Sequence, residues 1–526
     1  MGPFLEFRLW LRDAPRVEVR GAALVAAALA ALLAWTLVPT GRQAPATGAV
    51  AVGTAAVGAE PLDEVGAPTG ETVPATGEAG APNEGGSGPA VDASAPPEAA
   101  PASPSTPVPS PADPGGGAPA SGPLTASDRG VEADAIRVGF TVLNLGGVDH
   151  AGYAADLRSD IPAVIDALVD SANQEGGVLG RQIEPVTVKV DILSADDQRR
   201  KCLQLTQTEK VFAVIDSYTY AQYEATKACI TVENKTPLVT GGVGDAREVA
   251  TAFPYEVSVT KDFNRRARDL VYAARDDGFF DPAKGFKKLG IFVDNCRPFA
   301  LDDPATGLYA YLREVGVKSW SEFRTDCDIA SQQRGGVQAA LQHLQDGVSH
   351  VILGTIGAGV QNYTNTAQAQ RATFEYFVSD FGSLANDGTA KNFNADQFDG
   401  TRGVTSLHEG ERSIGRPLSA SAAACSKILT DRGLEPITDY SRDSEALYLC
   451  DGLNLFLEAA RRAGGDLTRI GWTDAVQTIV DFRPSWVDLA SFGPGKLTGG
   501  DSVHRVQWHR DCVCFRQLED FRPAYG

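Results

Sequence analysis

From Ile136 onward the chain alternates short apolar runs with amphipathic segments, and this rhythm leaves few folds open to it. "IRVGFTVL" reads as a strand and "LRSDIPAVIDALVDSANQ" as a helix; the strand "VTVKVDIL", the helix "DDQRRKCLQLTQTE", the strand "VFAVIDS", the helix "YEATKACITVEN" and the strand "PLVTGG" follow. Bounded apolar runs separated by helical periods predict a parallel sheet covered on both faces. The rhythm then restarts, with helix "NRRARDLVYAARDDG", strand "KLGIFVDN", helix "PATGLYAYLREVG" and strand "VKSWSEFRT". It runs on through helix "GGVQAALQHLQDG", strand "SHVILGTI", helix "NTAQAQRATF" and strand "EYFVSDF". The expected class is therefore α/β, with two doubly wound Rossmann-like lobes. After Gly400 helices dominate: "SASAAACSKILTDRG", "SEALYLCDGLNLFLEAARRAG" and "GWTDAVQTIVDF". Helices this late must cover a sheet already built, so the chain is expected to return to the first lobe. An alternating strand near "HRVQWHRDCVCF" then crosses once more.

The chain before this rhythm cannot build a core. From Gly41 to Gly130 there are ten acidic and two basic residues and no aromatic, the rest being almost all Ala, Gly, Pro, Ser, Thr and Val. Such composition has nothing to bury against the entropy of ordering, so residues 39–133 are expected to be a disordered linker. Ahead of it, Gly21 to Val38 is a run of 18 residues without a charge, as a helix about 27 Å long and just enough to cross a bilayer. Arg8, Arg12, Arg16 and Arg20 precede it, so residues 1–20 are expected on the cytoplasmic side and everything after Val38 outside. The segment reads as a signal anchor or, if cut near Ala44-Pro45-Ala46, as a signal peptide. Membrane contact is expected through this helix only.

Eight cysteines, at 202, 229, 296, 327, 425, 450, 512 and 514, all fall in the globular part. An even count in an exported domain points to disulfides. Proximity favours Cys202–Cys229, Cys296–Cys327 and Cys425–Cys450, and leaves Cys512 and Cys514 for each other. That last pairing needs bent backbone, since alternate residues of a straight strand lie too far apart to bridge. Net charge is −20, which argues against nucleic acid and anionic lipid surfaces. Chemistry motifs are missing as well. "GPGKLTGG" has Ala490 where a phosphate loop needs its first glycine and Leu497 after the lysine, and neither Gly-x-Ser-x-Gly nor His-Glu-x-x-His occurs. If extended, His504, Cys512 and Cys514 point to one face and His509 to the other, and in an oxidising compartment the cysteines favour a disulfide, so the four make a poor metal site. No cofactor, no metal and no catalysis are expected.

A corner at residues 173–181 adds a family. Gly176-Gly177 suits the left-handed end of a helix and Gly180 a second tight turn before the next strand. The order Asn173, Gly176, Gly177, Gly180, Arg181 resembles the "Asn-x-x-Gly-Gly-x-x-Gly-Arg" corner of the leucine/isoleucine/valine-binding family of ABC-transporter substrate-binding proteins. "VFAVIDS" followed by "TPLVTGG", then "KLGIFVDN", "SHVILGTIGAG", "YFVSD" and "GTRGVT", come in that family's order. The resemblance covers about residues 134–526. It implies a type 1 periplasmic-binding-protein fold, with two lobes joined by three hinge crossovers and closing on a small molecule. Combined with the strand rhythm, this places lobe I at 134–257 and 403–483 and lobe II at 258–402 and 484–526.

The same resemblance implies where a ligand would sit. Tyr218, Thr219 and Tyr220 follow the strand "VFAVIDS" in a loop that the family uses for hydroxyl and backbone contacts. Gly241, Gly242 and Val243 end the next strand, where free backbone N–H groups would hold a carboxylate. Gly244 stands near the place of a hydroxyl residue usual in the family, a departure that weakens any carry-over of amino-acid carboxylate recognition. In lobe II, Phe299 lies where an aromatic covers the ligand, Thr355 and Ile356 follow a strand end, and Asp380 falls where amino-acid binders keep an acid for the ammonium group. A buried acid there must pair with ligand or with the protein itself.

The expectation is thus an extracytoplasmic solute-binding protein, anchored by its N-terminal helix or secreted if cleaved. It would capture a small polar, amino-acid or amide-like molecule for an ABC permease. The alternative is an envelope ligand-sensing domain acting through a partner protein.

Overall fold

In the computed structural model, residues 124–144, 157–191, 194–217 and 227–526 are described. The expected membrane segment 21–38 and nearly all of the linker lie outside them. Among the described residues no helix is long and apolar enough to cross a membrane.

The first lobe is built from β1 (Ala135–Leu143), α1 (Ile161–Gln174), β2 (Gln182–Val190), α2 (Ala195–Leu203), β3 (Ala213–Asp216), β4 (Leu238–Thr240), α3 (Ala246–Ala252) and β5 (Glu256–Val257). Its strands form one sheet in the order β2-β1-β3-β4-β5, every pair parallel. Burial along β1 is nearly unbroken, as a strand covered on both faces requires. In α1, Val164, Ile165, Leu168 and Ala172 supply the buried stripe. The helix ends where Gly176 and Gly177 take φ of 96° and 59°. A Cβ on Gly177 would lie 2.0 Å from the Arg181 carbonyl oxygen, so this corner demands glycine. Asn173 then exchanges two hydrogen bonds with the backbone of Ile183, and buried Arg181 donates to the carbonyls of Glu132, Thr125 and Gly465. The corner is a structural joint that also ties the start of the lobe to residues 284 positions later.

The second lobe continues with α4 (Phe263–Asp276), β6 (Leu289–Asp294), α5 (Pro298–Asp302), α6 (Leu308–Glu314), β7 (Trp320–Thr325), α7 (Ile329–Gln345), β8 (His350–Gly354), α8 (Gly357–Ala369), β9 (Glu375–Ser379), α9 (Asp387–Ala390), α10 (Ala395–Phe398) and β10 (Arg402–Thr405). Next come α11 (Ala420–Asp431), α12 (Ser444–Ala463) and α13 (Arg469–Val476), then β11 (Ser502–His509), β12 (Cys514–Gln517) and β13 (Arg522–Pro523). The second sheet runs β12-β11-β10-β9-β8-β6-β7, with β13 beside β11. It is parallel through β10 and antiparallel from β11 on.

Both sheets are covered on both faces. α11, α12 and α13 return to the first lobe, as expected of late helices, and share its large core with α1 through Leu429, Leu453, Phe456 and Trp472. Cys202, Leu205, Cys229 and Ile230 cover the opposite face. In the second lobe, α4 and α6 pack on one face while Tyr363, Trp508 and Phe515 fill the other.

The crossovers differ in position from the sequence expectation. β10 stays in the second sheet by pairing with β9 and β11, so the chain returns after Thr405 and not at Gly403. Trp486, Val487, Ala490, Phe492 and Leu497 belong to the first core, so the last crossing falls near Thr498–Asp501 and not at Pro484. The three crossing segments are laced together. Ser258 N–H donates to Leu497 O at 2.9 Å, Gly499 N–H to Ser258 O at 2.7 Å, and His408 N–H to Trp486 O at 3.1 Å. His504 closes the set through Nε2 and Leu407 O at 2.8 Å.

All eight cysteines pair as proximity suggested: Cys202–Cys229, Cys296–Cys327, Cys425–Cys450 and Cys512–Cys514. For the last, Val513 at φ 53° supplies the bend and brings the two Cα atoms to 5.1 Å.

Candidate functional site

The carboxyl ends of the two sheets meet across a cleft of about 1060 Å³. This is the position where parallel α/β sheets take ligands, because strand ends and helix starts leave polar backbone there. Lobe I contributes Leu143, Gly241, Gly242, Val243, Tyr448 and Trp486 to its walls. Lobe II contributes Phe263, Arg266, Asp294, Arg297, Gln332, Thr355, Ile356, Asp380 and Phe381.

Of the residues singled out in the sequence, Gly241, Gly242, Val243, Thr355, Ile356 and Asp380 line the cleft, while Tyr218, Thr219 and Tyr220 lie outside the described residues. Two expected details change. Gly241 N–H donates to Asp216 O at 3.1 Å, Gly242 N–H to Thr240 Oγ1 at 2.9 Å and Gly244 N–H to Glu256 Oε1 at 3.3 Å. Of the expected set, the amides of Gly241 and Gly242 hold the turn together and are not free for a carboxylate. Phe299 lies off the cleft walls: it starts α5, where its ring sits 5.3 Å from the Arg247 guanidinium of α3 on the opposite lobe. Phe263 and Phe381, in edge contact at 5.6 Å, are the aromatics that lobe II turns toward the cavity.

Asp380 has its answer inside the protein. Oδ1 accepts from Thr405 Oγ1 at 2.5 Å, and Oδ2 accepts from Ser406 N–H at 2.7 Å and Ser406 Oγ at 2.6 Å. The acid thus fastens β9 to the crossover after β10, by hydroxyls and an amide and not by a cation. Asp294, at the end of β6, accepts from Cys296 N–H at 3.0 Å, Thr355 Oγ1 at 2.8 Å and Gln332 Nε2 at 3.3 Å. Burial still raises its pKa above the ordinary carboxylate range.

On the lobe I side, Glu445 in the first turn of α12 receives Leu143 N–H at 2.9 Å and Ser217 Oγ at 3.3 Å. Burial, reinforced by nearby Asp216, pushes it up to about 7. Asp216 itself accepts from Thr141 and Thr240 at 2.6 and 2.7 Å. Where the lobes meet, Glu409 of the second crossover accepts from Asn386 and Ser441 at 3.0 and 2.9 Å, and burial together with Asp387 and Asp439 raises its pKa.

The lobes also touch through ions. Lys227 bridges Glu248 and Glu256 at 3.2 and 3.0 Å, and Glu248 reaches Arg297 of lobe II at 3.5 Å. Arg297 and Arg266 each stack over the Phe263 ring, both 5.0 Å from its centroid. Sequence reasoning passed over Arg266, Arg297, Tyr448 and Trp486, which carry no motif and reach the cleft from a helix face, a loop and a distant segment.

A family profile described as periplasmic binding protein matches residues 147–502. Solved structures share the fold at low identity. A solute-binding protein from R. palustris in complex with 4-hydroxybenzoate has 16% identity and a TM-score of 0.55, covering 74% of this chain and 98% of that one. A possible leucine/isoleucine/valine-binding protein from Rhodopirellula baltica has 16% identity and a TM-score of 0.54, covering 76% and 98%. An ABC transporter substrate-binding protein from Desulfitobacterium hafniense in complex with Leu has 12% identity and a TM-score of 0.51, covering 73% and 100%. No curated protein matches.

Proposed function

The chain belongs to the periplasmic binding protein family, and we propose that it is the solute-binding component of an ABC importer, working outside the cytoplasm. It captures a small polar organic molecule between its lobes and presents the closed form to a permease, without turning the molecule over. The segment Gly21–Val38 tethers it to the membrane. The observation that carries this reading is the cleft: about 1060 Å³ of space between two facing strand ends, bounded by the laced crossovers that join the lobes. Its acids Asp294 and Asp380 are each held by donors from the protein itself, an arrangement suited to shaping a pocket.

The test is a thermal-shift screen of the full chain against amino acids, their amides, polyamines and small carboxylates. A ligand at 100 times its dissociation constant adds about 2.7 kcal/mol, a rise of at least a few degrees. Binding without consumption supports the reading; conversion of a bound compound into product, or silence across every class, refutes it.

A further inference from the structure

The cleft has a charge pattern opposite to the one the sequence suggested. In the lobe I turn the amides of Gly241, Gly242 and Gly244 are spent internally, so these three offer little to an anion. Asp380 of lobe II already accepts three hydrogen bonds from Thr405 and Ser406, so few of its acceptor sites remain for an ammonium group. Beside it on the same wall stands a cation. Arg266 lines the cleft, and its Nε, one Nη and the other Nη donate to Lys261 O at 2.8 Å, Asp380 O at 3.2 Å and Thr260 Oγ1 at 3.0 Å. These acceptors are neutral, and among the described residues no carboxylate pairs with this guanidinium. Its N–H groups outnumber the three acceptors. Asp380 therefore lends Arg266 a carbonyl while turning its own charge elsewhere.

We propose that Arg266 is the anion-docking residue of the cleft and that the ligand is an organic carboxylate with an apolar body, bound without help from an ammonium group. The proposal rests on the solute-binding reading above. A half-buried guanidinium held in place by neutral oxygens is pre-oriented, and an entering carboxylate gains charge-assisted hydrogen bonds there. Next to it, Phe263 and Phe381 offer ring surface, and Ile356, Val243 and Leu407 add apolar walls. Tyr448 and Trp486, with ring centroids 3.9 Å apart, face the cavity from lobe I. The geometry gives the charge one end and the hydrocarbon the rest. An α-amino group meets Asp294 and Asp380 with their oxygens already holding protein donors.

The experiment titrates the full chain with aliphatic and aromatic monocarboxylates, each beside its primary amide and its α-amino counterpart. The carboxylate should bind roughly tenfold or more tighter than its amide, and the α-amino group should add nothing. R266Q should lose roughly 10- to 100-fold in carboxylate affinity and narrow the gap between acid and amide, and R266K should recover part of the loss. Equal binding of acid and amide on the unaltered protein overturns the proposal, whatever the variants do. Tight binding of amino acids that depends on the amino group and survives R266Q overturns it too, yet leaves the solute-binding reading standing. Silence from every class removes both.

Discussion

Replacing Glu445 by Gln isolates one buried charge. The side chain is 2% exposed, and burial pushes its pKa from 4.5 to about 7. The folded state therefore holds a proton that the unfolded chain releases. Its contribution to stability is fully present below pH 4.5 and is lost as pH rises through 7. A gap of roughly 2.5 units at about 1.4 kcal/mol each amounts to about 3 kcal/mol. Gln keeps an oxygen for Leu143 N–H and Ser217 Oγ, so the substitution removes the titration with little change of shape. E445Q should match the parent near pH 4.5 and exceed its stability by up to about 3 kcal/mol at pH 8. Urea unfolding of both proteins at a series of pH values measures this, because all other titrations cancel in the difference. A difference that stays flat with pH, or an E445Q protein less stable at pH 8, would refute the reasoning.

K227M should cost roughly 3–5 kcal/mol, because it leaves buried Glu256 without a cation and Glu248 with Arg297 alone. Thermal unfolding checks this, and adding E248Q and E256Q should recover most of the loss. G177A should lose at least about 1–2 kcal/mol from the left-handed backbone alone, with the contact to Arg181 O adding to it; a neutral result would mean the corner can open. C425S/C450S removes a bridge across 25 positions and should cost about 3 kcal/mol, whereas C512S/C514S, across 2 positions, should change the unfolding midpoint far less.

Much of the architecture was legible because parallel strands, buried on both faces, announce themselves as unbroken apolar runs. The glycine corner was legible because positive φ restricts residue choice at Gly176 and Gly177. The boundaries were not. Thr405 and Trp486 lie in segments whose lobe is decided by pairing partners far along the chain, which local pattern does not encode. Phe299 was expected at the cleft from the family resemblance, but the start of α5 points it toward Arg247. Asp380 lines the cleft, while its partners Thr405 and Ser406 arrive from a crossover 25 and 26 positions later. Arg266 had no signal at all: in the sequence it is one of several arginines on an amphipathic helix, and only the tertiary structure turns it to the cavity.

The lacing of the chain between lobes also sets an order of assembly. Lobe I lacks α11 to α13 and the Trp486–Leu497 segment until well after lobe II has begun, and lobe II lacks β11 and β12 until those helices exist. A ribosome emitting residue 400 has therefore produced two unfinished sheets, each with an open edge or a bare face and neither able to close on local contacts. Folding must wait for contacts hundreds of residues apart, which makes it slow. For a chain exported as proposed, the same delay would let passage through a membrane precede folding.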